Sequence, residues 1–253
     1  MGGSKVVMPQ FFVKKSQINS SEILVDNPDD LKHLVSVLRI KKGDILNFID
    51  EEEFVYETEV SEVSKRLVKA QVLRKEKSKR KLSLNLTLAQ SVLKNNAQDI
   101  AIQKAVELGT PRIIPVLTKR TVPKFLSEKE ISSKIEKWNK IAFETCKQCE
   151  RSSMPVIERI VPLEELNLDE YDIKIACLER STTLPLKKLL RSIEHTKESK
   201  ILVVIGPEGG FCDEELDFFE KNNFCGVTLG NLILRAETAV ISALSCVIYE
   251  YED

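Results

Sequence analysis

The chain reads as an α/β protein with a mostly parallel sheet, preceded by a small β-barrel. Three observations predict this. From about residue 82 onward, short apolar strands alternate with helix-length segments, the signature of a parallel sheet covered by helices. Two of those strands, "IKIACL" (173–178) and "ILVVI" (201–205), are continuous apolar runs, as expected for central strands covered on both faces. The first 75 residues instead carry short segments of partial alternation, separated by polar breaks.

In chain order, "NPDDLKHLVSVLRI" predicts a helix starting at Pro28, with acids in its first turn and Leu31, Leu34, Val35 and Leu38 on one face. "KKGDILNFID", "EFVYETEV" and "RLVKAQVLR" follow as barrel strands. The basic run "RKEKSKRK" (74–81), with six cations and one acid, reads as a solvated linker and sets the boundary between domains 1–75 and 76–253. Beyond it, 82–89 is a strand, 96–108 a helix closed by Gly109, and 112–117 a strand. Ser127 and Glu130 form a capping box ahead of a long helix. "GVTLG" (226–230) is a last short strand, and Arg235–Glu250 a final helix. That helix is apolar or small on nearly every side, which places it in its own core or against a second subunit.

Composition excludes more than it selects. At 253 residues with 42% hydrophobic and 30% charged, the chain has ample material for a core. The start lacks a signal-peptide core and no apolar run approaches the ~20 residues of a membrane span. The expectation is a cytoplasmic protein with its six cysteines (146, 149, 177, 212, 225, 246) reduced. The formal net charge of −1 does not announce a nucleic-acid binder, though residues 1–81 carry a net +3 and the remainder −4. Cys146 and Cys149 form a C-x-x-C at a helix end with no second pair or histidine nearby, so no metal site is expected. His33 and His195 fall in the barrel and in a polar stretch, which disfavours a histidine-based mechanism.

The stretch "VVIGPEGGFCDEEL" (203–216) is a strand, a glycine-rich turn and a helix start, the layout of a phosphate site. Yet Glu208 lies within the turn, Asp213, Glu214 and Glu215 open the helix, and no lysine follows. Those acids would repel a phosphate, so a neutral or cationic ligand fits better; a plain tight turn whose acids satisfy the helix dipole fits as well. "TLGNLILRAETA" (228–239) repeats the layout and brings Arg235, Glu237 and Thr238 to a helix start. With "CLER" (177–180), three neighbouring strands would deliver polar loops to one sheet edge.

"IGPEGGF" and "LGNLILRAETA", with "QKAVELGTPRIIPV" (103–116) and "KWNKIAFETCKQCER" (137–151), resemble the bacterial ribosomal RNA small subunit methyltransferase E family. "HLVSVLRIKKGD" (33–44) is similar to that family's PUA-like β-barrel. The resemblance implies a SPOUT-type fold with a carboxyl-terminal trefoil knot, and a homodimer. It also implies methyl transfer from S-adenosylmethionine to N3 of a uridine in 16S ribosomal RNA, within the 30S subunit. This cofactor has a cationic sulfonium and no phosphate, which suits glycines without a lysine. By resemblance, Leu178, Glu179, Gly206, Glu208, Gly210, Leu229, Gly230, Leu234 and Thr238 hold the cofactor. Glu208 has a second reading, as a structural acceptor of backbone hydrogen bonds.

Methylating N3 requires loss of the imide proton and stabilisation of the charge left on the ring. Arg235 is the candidate for stabilisation and Glu237 for the base; a loop-holding ion pair is the other reading of Arg235. The candidate RNA surface is Arg39, Lys41, Lys42, Lys79 and Arg80, with Lys94, Arg120 and Arg151. The chain departs from the family pattern at Cys212, where Ser or Thr is usual as a cap, at Leu232, where a base is frequent, and at Asn95-Asn96-Ala97. A ribose 2′-O-methyltransferase and a non-catalytic RNA-binding module are the alternative functions.

Overall fold

The computed structural model describes residues 10–19, 21–78, 80–124, 127–178 and 181–252. The chain divides into two compact units, residues 1–81 with 146–153, and residues 82–145 with 154–253. Among the described residues, no helix is long and apolar enough to cross a membrane.

The first unit is a curled five-stranded sheet built from β1 (Gln10–Phe12), β2 (Glu22–Val25), β3 (Ile45–Ile49), β4 (Phe54–Val63) and β5 (Val68–Lys77). Its order is β1-β3-β4-β5-β2, an open path among the described residues. In β4 the pattern alternates cleanly: Tyr56, Thr58 and Val60 are buried while Glu57 and Glu59 face water. These join Phe11, Ile23, Leu46, Phe48 and Val68 in one core. Helix α1 (Pro28–Leu31) starts where expected, the Asn27 side chain accepting the Asp29 N–H at 2.9 Å. It then widens into a π-helical turn over Lys32–Val37, where the Leu38 N–H donates to His33 O. Five residues per bond carry Leu38 off the apolar face, so it is 37% exposed while Leu34 is fully buried.

The basic run is not a linker. Arg74–Lys77 complete β5, paired with Phe54–Glu57. Lys75 lies 4.1 Å from the Phe54 ring centroid and 5.1 Å from that of Tyr56, a cation–π pairing that suits charge to a strand. Residues 146–153 also belong to this unit, contrary to a boundary drawn once along the chain. Gln10 Nε2 donates to Arg151 O at 3.2 Å, and Ser152 donates to Arg80 O from both N and Oγ.

The second unit is a parallel sheet of β6 (Asn85–Ser91), β7 (Arg112–Leu117), β8 (Val156–Ile157), β9 (Val161–Pro162), β10 (Ile173–Cys177), β11 (Lys200–Ile205) and β12 (Cys225–Val227). The order is β12-β10-β11-β6-β7-β8, with β9 also on β7. Ile201–Ile205 is buried throughout, which is why it reads as an unbroken apolar run, and Leu86–Ser91 is equally buried although it carries Thr87, Gln90 and Ser91. Helices α2 (Asn95–Glu107) and α6 (Ala236–Tyr251) pack together, and α3 (Glu128–Gln148), α4 (Leu186–Leu190) and α5 (Asp213–Lys221) complete the unit. Because every strand is parallel, the residues that follow β6, β7, β10, β11 and β12 all emerge at one sheet edge.

Gly109 ends α2 with φ +88°, and a Cβ there would stand 2.2 Å from Leu82 Cδ1. Gly109→Ala is expected to cost about 1–3 kcal/mol, since Leu82 must turn aside and the left-handed backbone stays strained. Thermal unfolding measures this; an unchanged midpoint would reject it.

Candidate functional site

The turn after β11 is built by glycine and anchored by phenylalanine. Gly210 takes φ +66° and its N–H donates to Pro207 O at 2.9 Å. A Cβ on Gly206 would lie 2.9 Å from the Phe211 ring. Phe211 in turn meets Phe219 edge-on, their centroids 4.8 Å apart, and Phe219 is buried.

The acids of this turn hold protein. Glu208 Oε1 accepts the Lys94 N–H at 3.1 Å, tying the turn to the start of α2. Glu215 is only 2% exposed: Oε1 accepts the Lys119 N–H at 2.7 Å and Oε2 the Cys212 N–H at 2.8 Å. The second bond is one half of a capping box, so Glu215 supports the helix start that Cys212 was expected to weaken. Arg120 Nη1 donates to Gly209 O at 3.0 Å. The loops after β6 and β7 are thereby stapled to the turn after β11 and the helix start that follows it, through one part-buried and two exposed hydrogen bonds.

The loop after β12 is open. The Thr228 hydroxyl donates to Gly230 O at 2.8 Å, and Gly230 takes φ +135°. A Cβ on Gly210 or Gly230 would meet nothing within 4 Å, so both backbones face free space. Arg235 is the N-cap of α6 in extended conformation, and its carbonyl accepts the Ala239 N–H at 2.8 Å. Its side chain is exposed and makes no ion pair among the described residues; Glu237, half-buried in the first turn, makes none either. The ion-pair reading of Arg235 therefore has no counterpart among the described residues. Leu229 and Leu234 are half-buried and Thr238 is exposed. From β10, the Leu178 N–H donates to Val227 O at 2.9 Å. Glu179 lies outside the described residues.

The candidate RNA residues fall in different places. Arg39, Lys41 and Lys42 are exposed after α1, and Arg39 has φ +54°. Arg80 is exposed and ion-paired with Glu150. Lys79 lies outside the described residues. Lys94 and Arg120 are exposed side chains beside the turn after β11. Arg151 is a correction: it is 6% exposed, and burial lowers its pKa from the usual arginine range, so it is no surface contact for RNA. The helix α6 also resolves into two faces. Ala239, Val240, Ala243, Leu244 and Val247 are buried, whereas Tyr249 is 86% exposed.

Cys146 is fully buried, and burial pushes its thiol up to about 12. Its folded pKa exceeds the unfolded one, so this contribution to stability is present below about pH 9 and is lost as pH rises towards 12. Alkylation at neutral pH is expected to modify exposed Cys246 well before Cys146, as peptide mass mapping would show. Equal labelling rates would contradict the burial. Among the described residues, no group of three or more His, Cys, Asp or Glu is placed to hold a metal.

Glu215 stood out in the sequence only as one of three helix-start acids, not as a buried staple, and Gln98 did not stand out at all. Gln98 is 2% exposed, its Oε1 accepts the Leu93 N–H at 2.8 Å, and its Nε2 has no partner. The only available sign was a polar residue on the buried face of α2.

The profile of the RNA methyltransferase domain matches residues 80–248, and that of the RNA methyltransferase PUA domain matches residues 25–73. The ribosomal RNA small subunit methyltransferase E of Bacillus subtilis is 29% identical, the match covering 97% of this chain and 98% of the relative. Its namesake in Buchnera aphidicola, from the pea aphid subspecies, is 32% identical over 86% of this chain and 84% of the relative. The crystal structure of ribosomal RNA small subunit methyltransferase E from Neisseria gonorrhoeae, bound to S-adenosyl methionine, superposes with a TM-score of 0.80. It is 27% identical, covering 97% of this chain and 99% of that one.

Proposed function

Because the chain belongs to the ribosomal RNA small subunit methyltransferase E family, we propose that it methylates N3 of a uridine in 16S ribosomal RNA of the small subunit, using S-adenosylmethionine. The observation that carries this reading is the sheet edge itself. Gly210 and Gly230 leave open backbone in the loops after β11 and β12, and Arg235, in the latter, is exposed with no ion pair among the described residues, with acids rather than a lysine in the turn. Such an edge fits a cationic, phosphate-free cofactor whose contacts are largely to main chain. Leu178, Gly206, Gly210, Leu229, Gly230, Leu234 and Thr238 would hold it, with Glu179 completing the set. Glu208 contributes indirectly, by fixing the turn through the Lys94 N–H.

When bound, the cofactor supplies an electrophilic methyl group on sulfur. The protein must place the uridine ring in line with it, accept the N3 proton and stabilise the negative charge spread over N3 and the flanking carbonyls. Arg235 stands where a guanidinium, reinforced by the N-terminal dipole of α6, serves that charge. Glu237, in the first turn of α6, is the proposed proton acceptor. The first unit supplies RNA affinity through Arg39, Lys41 and Lys42, with Arg80 and Lys79.

The family reading carries three further proposals. The carboxyl-terminal segment threads a trefoil knot; an experimental chain trace that straightens when pulled from its ends would exclude it. Two copies associate through the outer face of α6 and the loop that precedes it, where Tyr249 on the helix and Leu232 and Ile233 in the loop are exposed; a monomer by sedimentation at micromolar concentration would exclude that. The protein works in the cytoplasm on assembled 30S subunits, and faster methylation of free 16S RNA would exclude the subunit as preferred substrate.

Labelled S-adenosylmethionine and small subunits from cells lacking the protein test the reaction directly. Digestion is expected to release labelled 3-methyluridine. A ribose-methylated nucleoside would replace the subfamily assignment, and cofactor binding without incorporation would favour the RNA-binding module.

A further inference from the structure

The sheet edge carries a second concavity, at the carboxyl ends of β6 and β7, which none of the cofactor candidates lines. A cavity of about 410 Å³ opens between the start of α2, the loop after β7 and α3. Val92, Leu93, Val122 and Pro123 give it apolar walls, and Trp138 of α3 closes one side. Its charge is opposite to that of the glycine turn. Lys137 is paired with Asp99, which leaves Lys94 and Lys134 at the cavity without ion partners among the described residues. The side chain of the N-cap Lys94 does not cap the 13-residue α2, so its N-terminal dipole adds to the positive potential, offset in part by the Glu208 carboxylate on the Lys94 N–H.

The wall also contains an unspent donor. Gln98 Oε1 is committed to the Leu93 N–H, and the buried Nε2 has no partner. At the adjoining end of β6, the Ser91 hydroxyl and Gln90 Oε1 are likewise buried without partners. A buried polar group left without a partner destabilises the fold, which marks this corner as built for something besides packing.

Apolar walls, a cationic rim and a single donor describe a nucleotide better than they describe S-adenosylmethionine, which is cationic at sulfur and carries no phosphate. The donor favours a base carbonyl, and uracil offers one on each side of its imide. We propose that this cavity receives an unstacked uridine of the RNA, its base between the apolar walls, a carbonyl on Gln98 Nε2 and flanking phosphates at Lys94 and Lys134. The inference rests on the RNA methyltransferase reading and gives it an address for the substrate. One residue of the cavity lining is tied directly to the glycine turn, since the Lys94 N–H bonds to Glu208.

Trp138 is the sole tryptophan of the chain, so its fluorescence reports occupancy. A short oligoribonucleotide with one central uridine is expected to quench it, the same strand abasic at that position to bind about tenfold more weakly, and S-adenosylmethionine alone to leave it nearly unchanged. Lys134→Glu should weaken the RNA about tenfold and leave the cofactor Kd within twofold. Gln98→Glu keeps the acceptor for Leu93 and removes the donor, so it should erase the preference for uridine over the abasic strand. Quenching by S-adenosylmethionine that RNA reverses would assign the cavity to the cofactor and overturn the proposal. So would an enzyme that methylates RNA while both variants bind it as wild type does, a result that spares the proposed reaction. Conversely, uridine-dependent quenching without methyl transfer to any RNA would uphold the cavity and reject the reaction.

Discussion

Replacing Arg235 with alanine is expected to lower kcat about 10²- to 10³-fold while the Kd for S-adenosylmethionine stays within about threefold. The size follows from removing one preorganised charge partner of a developing anion. The selectivity follows from place: Arg235 stands at the N-cap of α6 by virtue of its backbone, and its side chain holds nothing else among the described residues. A residue with no ion pair to lose should leave the melting temperature nearly unchanged, which separates a chemical role from a structural one. Arg235→Lys keeps the charge and loses the planar fork, so partial recovery is expected. Full turnover in Arg235→Ala would remove the residue from the mechanism. A parallel loss of cofactor affinity and stability would make it a loop anchor instead.

What was legible in the sequence depended on how far apart the cooperating residues lie. The strand Arg112–Leu117 and the runs at 173–177 and 201–205 announce themselves because a doubly covered strand must be apolar along its whole length. Local chemistry also disclosed Asn27 with Pro28, Gly109 and the start of α6. Patterns that rest on a regular period failed where the period changed: the wide turn through Val37 turns Leu38 outward, although it sits correctly on an ideal helix. Charge misled at Arg74–Lys77, because lysines on a strand can lie over Phe54 and Tyr56, residues some twenty positions earlier. The same distance hid the staples of the site. Nothing local ties Glu208 to Lys94, or Glu215 to Lys119, and Arg151 reads as a surface cation until its burial is seen. The glycines, Arg235 and the reading of Glu208 as a backbone acceptor come from local sequence; the partners that Glu208 and Glu215 hold across the loops do not.

Glu215 is where that hidden organisation should show most strongly. Its carboxylate, 2% exposed, accepts the N–H of Cys212 at the start of α5 and the N–H of Lys119 in the loop after β7. Glu215→Ala removes both acceptors and leaves two donors facing a small void. Hydrogen bonds to a charged acceptor are worth about 1.5–3 kcal/mol each, and water entering the gap would return part of that. A net loss of about 3 kcal/mol is expected, a fall of roughly 6–12 °C in melting temperature for a chain of this size. Its exposed neighbour Glu214 provides the control: Glu214→Ala, which loses no buried contact, should stay within about 0.5 kcal/mol of wild type. Glu215→Gln should fall between, since an amide can accept only through its oxygen and turns its own N–H groups on the second donor. The loss should reach function as well. The glycine turn is preorganised by this staple, so S-adenosylmethionine affinity should fall in Glu215→Ala even at temperatures where the protein remains folded. If Glu215→Ala melts with wild type and binds the cofactor equally well, the staple contributes nothing. In that case the acids of this turn act only through the helix dipole, as the sequence alone allowed.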